Sequence, residues 1–325
     1  MPTELPQKVS FIEVDPEAEG QRLDNFLMRR LKGVPKSLIY RIIRKGEVRV
    51  NKGRVKQTTR LQAGDIVRVP PLQRAVSVAP KVSGKYAFLL DCVLFEDDVL
   101  LVIDKPSGLA VHAGSGISVG VIEAMRSLRP DLKYLELAHR LDRATSGCLV
   151  LAKKAAALRT LNDDFKNNSL RNPRLDKRYL ALVKGRWRHG ERRVTKALNT
   201  EARRAGERHV MVEESGSYAS SIFTPVVCND QASLIEVKLL TGRTHQVRVH
   251  AAAENHPLAG DERYGDADFN SSMKQFGLNR LFLHAAKLAV HHPISGARLE
   301  FSAALPHVLV GVLEKIGLTM PPDDR

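Results

Sequence analysis

Residues 138–147 read AHRLDRATSG, and the apolar stretch CLVLA follows directly at residues 148–152. The first stretch combines ionisable side chains with Thr, Ser and Gly, which favour turns, and the second predicts a buried strand. A loop next to a rigid strand can hold polar side chains at a surface cleft. Asp142 is the natural nucleophile or base of this loop, and Arg140 and Arg143 can keep its carboxylate ionised and attract phosphate.

Around this loop, from residue 86 onwards, short apolar runs outnumber amphipathic stretches. Strands are predicted at residues 88–94, 99–103, 148–152, 179–183, 221–227 and 234–240, and helices at residues 119–128, 154–167, 244–254 and 307–316. The spacing lacks the regular strand–helix alternation of a parallel doubly wound sheet. We therefore expect an α+β domain over residues 86–320, with a large mixed, mainly antiparallel sheet.

A second, smaller domain is predicted over residues 21–70. Residues 21–34 and 36–45 each place apolar side chains at helical spacing among Lys and Arg, and Pro35 separates them. Short alternating runs at residues 47–50 and 66–69 predict strands. Residues 1–20 are an acidic N-terminal segment, and residues 71–85 are turn-prone and predict a linker.

The charge of the chain is concentrated in two segments. The 325 residues carry a formal net charge of +15. Residues 21–72 hold 14 Lys and Arg against three Asp and Glu, and residues 161–210 hold 14 against six. Nucleic acid is the leading explanation for such local excesses, and solvated basic faces are the alternative.

Several classes of protein and site are disfavoured. No stretch approaches the roughly 18 uncharged apolar residues of a membrane span, and no secretion signal is visible, so we expect a cytoplasmic protein that does not enter a membrane. Three distant Cys predict neither disulfides nor a zinc site. The pair His291-His292 lacks partners at metal-ligand spacing, and Gly114-Ser115-Gly116 lacks the ending of a P-loop. We expect no metal and no cofactor.

A hydrolase is a weaker alternative. Ser146, His139 and Asp142 are the residue types of a catalytic triad, but they crowd into one loop without a Gly-x-Ser-x-Gly elbow.

The pattern His-Arg-Leu-Asp-x-x-Thr-Ser-Gly, at residues 139–147, resembles the catalytic motif of the pseudouridine synthases of the large-subunit ribosomal RNA type. Further motifs of this family are resembled, in the same order, by residues 104–112, 177–183, 241–250, 256–265 and 283–285. The resemblance is narrowed to one branch of the family by residues 32–41 and 278–284. Ala144 departs from the family, which often has an acidic residue there. Residues 22–24, 46–51 and 63–65 resemble the S4-type RNA-binding domain.

The resemblance implies the pseudouridine synthase fold and a cofactor-free isomerase that converts specific uridines of 23S ribosomal RNA to pseudouridine. By position, Asp142 is the catalytic carboxylate; attack on the ribose, attack on the base and removal of a ribose proton stay open. Tyr179 lies against the target base and assists proton removal, and Arg248 pairs with Asp142 and keeps it ionised. Arg140 enters the space left by the flipped nucleotide.

The implied partner is large-subunit ribosomal RNA, bound by a monomer. The phosphate contacts of the S4-type domain fall on Arg22, Lys36, Arg41, Arg44 and Lys45. The basic stretch 161–210, which contains Tyr179, is expected to line the RNA channel. The alternative from another class is a catalytically silent RNA-binding or ribosome-assembly factor, but an intact set of Asp142, Tyr179 and Arg248 favours the enzyme.

Overall fold

The computed structural model of the chain describes residues 8–31, 34, 36–72, 84–113, 119–167, 174–199, 203–204 and 207–320. The chain divides into two compact units, Met1–Pro80 and Lys81–Arg325. Each unit has hydrophobic core clusters of its own. Within the described ranges, no helix has both the length and the apolar character needed to span a membrane.

The first unit packs two helices on one face of a four-stranded sheet. Its elements are β1 Ser10–Glu13, α1 Leu23–Arg30, α2 Lys36–Arg44, β2 Arg49–Val50, β3 Gly53–Arg54 and β4 Ile66–Val69. The strand order is β1-β4-β2-β3, and every pairing is antiparallel. Leu27 of α1 and Ile39 of α2 are buried with Val67 of β4, which confirms the two predicted helices and their inward faces.

The predicted boundary at residue 20 differs from the structure. β1 lies in the acidic N-terminal segment, yet it pairs with β4 along its whole length, from Ser10 opposite Val69 to Glu13 opposite Ile66. Backbone hydrogen bonds hold such an edge strand, and four residues are too few for a periodic pattern to predict it.

The second unit is built around one large sheet. Its strands are β5 Val93–Glu96, β6 Leu100–Lys105, β7 Glu136–Leu137, β8 Ser146–Ala152, β9 Leu175–Lys184, β10 Arg192–Thr195, β11 Leu198–Asn199, β12 Arg203–Arg204, β13 Glu207–Arg208, β14 Met211–Val212, β15 Ser220–Cys228, β16 Ala232–Leu239, β17 Leu283–His291 and β18 Arg298–Ser302. Its α-helices are α3 Val121–Leu128, α4 Ala155–Asn167, α5 Gln246–Ala253, α6 Ala267–Gln275 and α7 His307–Lys315.

Ten of these strands form the main sheet, in the order β10-β15-β16-β9-β17-β8-β6-β5, with β18 beside β17 and β7 beside β8. The β8–β17 pairing is parallel, and the other pairings in this sheet are antiparallel. The predicted mixed, mainly antiparallel sheet of an α+β fold is therefore confirmed.

The burial of strand β8 on both faces explains why its sequence is apolar without alternation. All seven of its residues are buried. Val150 packs with Leu161 of α4 on one face of the sheet, whereas Leu149 packs with Met125 of α3 on the other. A strand covered on both faces needs apolar side chains in both directions. The loop before β8 is consequently anchored to a fully buried strand.

Some elements differ from the prediction. Residues 88–94 form the end of a 3-10 helix, Gly84–Leu89, and the start of β5 rather than one strand. Helix α6 and strand β18 were not predicted, because each is short and its apolar face is too short to show a clear period. Residues 73–83, most of the predicted linker, and Gly114-Ser115-Gly116 lie outside the described residues.

Candidate active site

A cleft of about 550 Å³ opens beside Asp142 in the second unit. Three segments distant in sequence supply most of its wall: the loop before β8, strand β9 at Tyr179, and the turn from β16 into α5. A wider groove shares Asp142 and Arg140 with this cleft. The cleft is lined by Arg140, Leu141, Asp142, Thr145, Tyr179, Leu239, Gly242, Arg243, Thr244, His245, Gln246, Val247, Arg248 and Leu283.

The backbone around Asp142 is fixed by the segment that follows β6. The carbonyl of Arg143 accepts a hydrogen bond from the N–H of Gly108 at 2.8 Å, and the Arg143 side chain donates back to the Gly108 carbonyl at 2.9 Å. The hydroxyl of Ser107 donates to the carbonyl of Ala144 at 2.7 Å. Asp142 therefore sits on a turn that is held from two sides, which favours a preorganised carboxylate.

Arg280 holds the same turn from the opposite direction. Its guanidinium donates to the hydroxyl of Ser146 at 2.7 Å and to the carbonyl of Ala144 at 3.5 Å. These hydrogen bonds at position 144 are made by its backbone carbonyl, so the absence of an acidic side chain at Ala144 leaves them intact.

Tyr179 faces Asp142 across the cleft. Burial raises the pKa of its phenol, and the negative charge of Asp142 raises it further. The phenol is therefore neutral at neutral pH. In this state Tyr179 presents a flat apolar ring and an O–H donor to the cleft, rather than a phenolate base.

His245 is a cleft residue for which the sequence predicted no individual role. Its Nε2 lies 3.8 Å from Oδ2 of Asp142. Its backbone adopts a φ of +54° immediately before α5, a conformation that is uncommon for residues other than Gly. Nε2 is directed at the carboxylate in this conformation. Position alone would have suggested it, because residues 245 and 248 are three apart at a helix start and share a face.

The surroundings of His245 favour one of its two neutral tautomers. The N–H of Val210 donates to the Tyr264 hydroxyl oxygen at 3.0 Å, and that hydroxyl lies 2.8 Å from Nδ1 of His245. The hydroxyl proton is free to bond Nδ1, and the carboxylate of Asp142, a hydrogen-bond acceptor, lies on the Nε2 side, so we assign the hydrogen of the neutral ring to Nε2. Burial lowers the pKa of His245 to about 4, although Asp142 opposes this shift. A neutral ring therefore directs an N–H donor towards Asp142.

Arg248 does not pair with Asp142, contrary to the prediction. Its Nε and Nη2 donate to the two carboxylate oxygens of Asp261, each at 2.7 Å. The side chain of Asp261 is fully buried, and it also accepts from the N–H of Tyr264 at 3.0 Å. The guanidinium lies 4.9 Å above the Tyr264 ring. The guanidinium of Arg248 is occupied by the carboxylate of Asp261 and by the Tyr264 ring. Arg248 therefore acts on Asp142 only by electrostatic interaction at a distance.

The Lys and Arg residues around the cleft also differ from those that the sequence predicted. Among the described residues, no Lys or Arg of the stretch 161–210 lines the cleft or the wider groove, and Tyr179 and His209 are its contributions. Side chains alternate along β9, and Arg178 pairs instead with Asp176 and Glu236. The arginines and the lysine at the rim are Arg140, Arg143, Arg243, Arg263, Lys274 and Arg280.

The residues of the hydrolase alternative do not form a triad. Nε2 of His139 accepts a hydrogen bond from the N–H of Val150 at 3.0 Å, and its ring stacks on Phe165. Ser146 is buried and bonds to Nδ1 of His284 at 2.9 Å. Both are structural residues. Within the part of the chain that the structure describes, no group of three His, Cys, Asp or Glu is arranged to hold a metal.

The predicted RNA-binding residues of the first unit have different surroundings. Arg41, Arg44 and Lys45 are exposed on and after α2. Arg22 instead binds the buried carboxylate of Asp24 through Nε at 3.1 Å and Nη2 at 2.7 Å. Its charge is therefore already compensated. The side chain of Lys36 lies outside the described residues.

Comparisons with known proteins bear on both units. The family model described as RNA pseudouridylate synthase matches residues 99–253, which include Asp142, Tyr179 and Arg248, and the S4 domain model matches residues 21–67. The ribosomal large subunit pseudouridine synthase C of Haemophilus influenzae is 47% identical over 311 residues, 95% of each chain. The protein of that name from Escherichia coli K12 is 47% identical over 321 residues, 97% of this chain and 99% of the relative.

Solved structures give the same fold. The human RNA pseudouridylate synthase domain containing 4 matches with a TM-score of 0.61 at 24% identity, over 74% of this chain and 98% of the human chain. The human domain containing 1 matches with a TM-score of 0.55 at 24% identity, over 71% of this chain and 96% of the human chain.

Proposed function

The chain belongs to the RNA pseudouridine synthase family, and from this we propose that it isomerises specific uridines of 23S ribosomal RNA, with Asp142 as the catalytic carboxylate. The observation that carries the assignment of Asp142 is its position: it lines both the cleft and the wider groove, faces Tyr179 and is held on a rigid turn. The 47% identity with synthases named for the large ribosomal subunit supports the substrate class.

The reaction is an isomerisation, so its atoms and electrons balance within the nucleotide. The C1′–N1 bond of uridine breaks, the uracil turns, and a C1′–C5 bond forms. The proton on C5 is lost, and N1 ends with a proton. The chemistry requires a carboxylate beside the sugar or the base, and Asp142 supplies it by attacking C1′, by attacking the base, or by taking a ribose proton.

The other cleft residues hold the nucleotide and the carboxylate in place. Tyr179, whose phenol is neutral and whose pKa burial raises still further, offers its ring to the target base. The exposed side chain of Arg140 stands at the rim, where it can enter the space that the flipped nucleotide leaves. This contact offsets part of the few kcal/mol that unstacking and unpairing cost.

RNA binding outside the catalytic unit is assigned to the first unit. Arg41, Arg44 and Lys45 on and after α2 carry exposed positive charge in a region that matches the S4 domain. Phosphate contacts of this kind position RNA without reading its sequence. The cleft, together with the fold of the RNA around the target uridine, then determines which uridine is modified.

The experiment that tests this function is a map of pseudouridines in ribosomal RNA from cells with and without the protein. We expect particular positions of 23S RNA to lose pseudouridine without the protein and to regain it with the wild-type chain but not with Asp142→Asn. A silent assembly factor predicts instead an unchanged map with altered subunit assembly, and restoration of the marks by the Asn variant would also overturn the proposal.

A further inference from the structure

Four side chains form a row across the sheet of the first unit. Phe11 of β1 is opposite Arg68 of β4, Arg68 is opposite Arg49 of β2, and Arg49 is opposite Arg54 of β3. Directly opposed residues of antiparallel strands project to the same face. With strands about 4.8 Å apart, the three arginine positions span roughly 10 Å.

This row lies on the face of the sheet opposite to the helices. The alternate residues Ile12, Val50 and Val67 pack into the core with α1 and α2. Phe11 is 67% exposed, and Arg49 and Arg54 are exposed as well. The face is therefore distinct from α2, to which the resemblance assigns the phosphate contacts.

The three guanidinium groups converge on the turn that ends α2. Arg49 donates through Nε to the carbonyl of Gly46 at 3.3 Å, and Arg68 donates to the carbonyl of Glu47 at 2.7 Å. Arg54 packs on Gly46, which has a φ of +72°: a Cβ at this position would lie 2.6 Å from Nε of Arg54. Hydrogen bonds to the backbone limit the freedom of Arg49 and Arg68, so less entropy is lost when they bind a ligand.

The charge of this row is not compensated by neighbouring acids. Glu47 lies 3.9 Å from Lys45, and Asp65 accepts hydrogen bonds from Asn51 and Gln62. Glu13, on the same face as Phe11, is opposite Ile66. Across the described residues, none of the three arginines in the row forms an ion pair. Each guanidinium has five N–H groups, so donors remain for an anion.

We infer that Phe11, Arg49, Arg54 and Arg68, here called the sheet row, bind an unpaired segment of the substrate RNA. The three arginines hold its phosphates, and a base stacks on Phe11. The inference rests on the proposed function for its RNA. An exposed aromatic ring beside clustered arginines is the combination that binds unpaired strands, because stacking requires an accessible base face.

The test compares full-length variants in binding to one 23S RNA fragment that the wild-type chain binds, and pseudouridine formation on that fragment is measured separately. Arg49→Gln, Arg54→Gln and Arg68→Gln are combined in one variant, and Phe11→Ala is made separately. We expect the triple variant to lower the slope of log affinity against log salt by about two, since each contact to a single strand contributes roughly 0.7. Phe11→Ala should weaken binding about ten-fold at every salt concentration.

Two controls separate the sheet row from general charge and from folding. Arg30→Gln removes one exposed charge that is already paired with Asp15, so we expect binding close to wild type. Arg54→Gln alone removes a side chain that donates no hydrogen bond to the described residues. If the triple variant fails to fold, this single change decides the question, with an expected loss of about 0.7 in slope.

The outcomes distinguish this inference from the proposed function. If the wild-type chain forms pseudouridine and all sheet-row variants bind with unchanged affinity and slope, the sheet row is wrong and the function stands. If the wild-type chain forms no pseudouridine but the variants bind RNA more weakly as expected, the function fails and the sheet row stands. Equal losses in Arg30→Gln and in the triple variant would overturn a specific role for the row.

Discussion

The hydroxyl of Tyr264 lies 2.8 Å from Nδ1 of His245, and this contact holds the ring with Nε2 facing Asp142. The hydroxyl oxygen accepts from the N–H of Val210, and we assign the hydroxyl proton to the bond with Nδ1. The proton of the neutral ring then sits on Nε2, 3.8 Å from Asp142. We assign His245 as a positioning residue for the carboxylate.

Tyr264→Phe tests this relationship. Loss of the donor to Nδ1 makes protonation of His245 easier, so its pKa should rise from about 4. We expect kcat to fall about ten-fold, the loss of one hydrogen bond, with little change in KM for RNA. The acid limb of the rate profile should move to higher pH. Rates measured across pH check this, with Tyr134→Phe as the control, and an unmoved acid limb would refute the assignment.

Asp142→Asn should abolish isomerisation while RNA affinity stays near that of the wild type. The change keeps the size of the side chain but removes the nucleophile or base, so we expect at least about a thousand-fold loss of rate. Single-turnover assays and binding titrations measure the two effects. Asp163→Asn, the same change at an exposed position of α4, should retain activity. Residual activity of Asp142→Asn within ten-fold of wild type would exclude the proposed role.

Arg248→Met should destabilise the second unit as well as slow the reaction. The substitution leaves the fully buried carboxylate of Asp261 without its two hydrogen bonds from the guanidinium. Breaking a buried pair in this way costs about 3–5 kcal/mol. Denaturant unfolding of Arg248→Met, Asp261→Asn and the double variant measures the coupling. Additive losses would show that the pair does not act as a unit.

Reversal of charge at Arg41, Arg44 and Lys45 to Glu should weaken RNA binding. If each makes one phosphate contact, the salt slope should fall by about two, or roughly 0.7 per contact to a single strand. The rate at saturating RNA should change little, because these residues belong to the first unit and Asp142 to the second. A salt titration of the triple variant is the measurement, and unchanged binding would count against this face of α2.

Acid should destabilise the second unit through His139. Burial, assisted by the charge of Lys177, lowers the pKa of His139 from 6.5 to about 3. Between these values the unfolded chain binds a proton that the folded chain does not, so stability falls as the pH falls through this window. The slope is about 1.4 kcal/mol per pH unit for one proton.

His139→Gln should remove this one-proton slope and can still accept a hydrogen bond from the N–H of Val150. Urea unfolding at a series of pH values across the window provides the comparison, and His307→Gln, an exposed position, is the matched control. The same slope in wild type and His139→Gln would show that His139 is not the titrating group.

The sequence predicted much of the fold because its determinants are local. The apolar run at residues 148–152 predicted the buried strand β8, and the helical spacing of residues 36–45 predicted α2, and both are present in the structure. The sequence did not predict β1, because this strand is held by its backbone hydrogen bonds to β4 and its four residues are too few to show a period. The basic stretch around Tyr179 misled for a related reason, because alternate residues of a strand face opposite sides.

The sequence by itself determined the family, the two-unit organisation and the candidate carboxylate, since motif order and periodicity are properties of the chain. Only the tertiary structure decided the partners. Arg248 binds Asp261 rather than Asp142, and His245, bonded to Tyr264 through Nδ1, directs Nε2 towards Asp142. The hydrogen-bonded partners are the side chains that the sheet and its loops bring within about 3 Å of one another. Residues far apart in sequence make those contacts, and no local pattern records them.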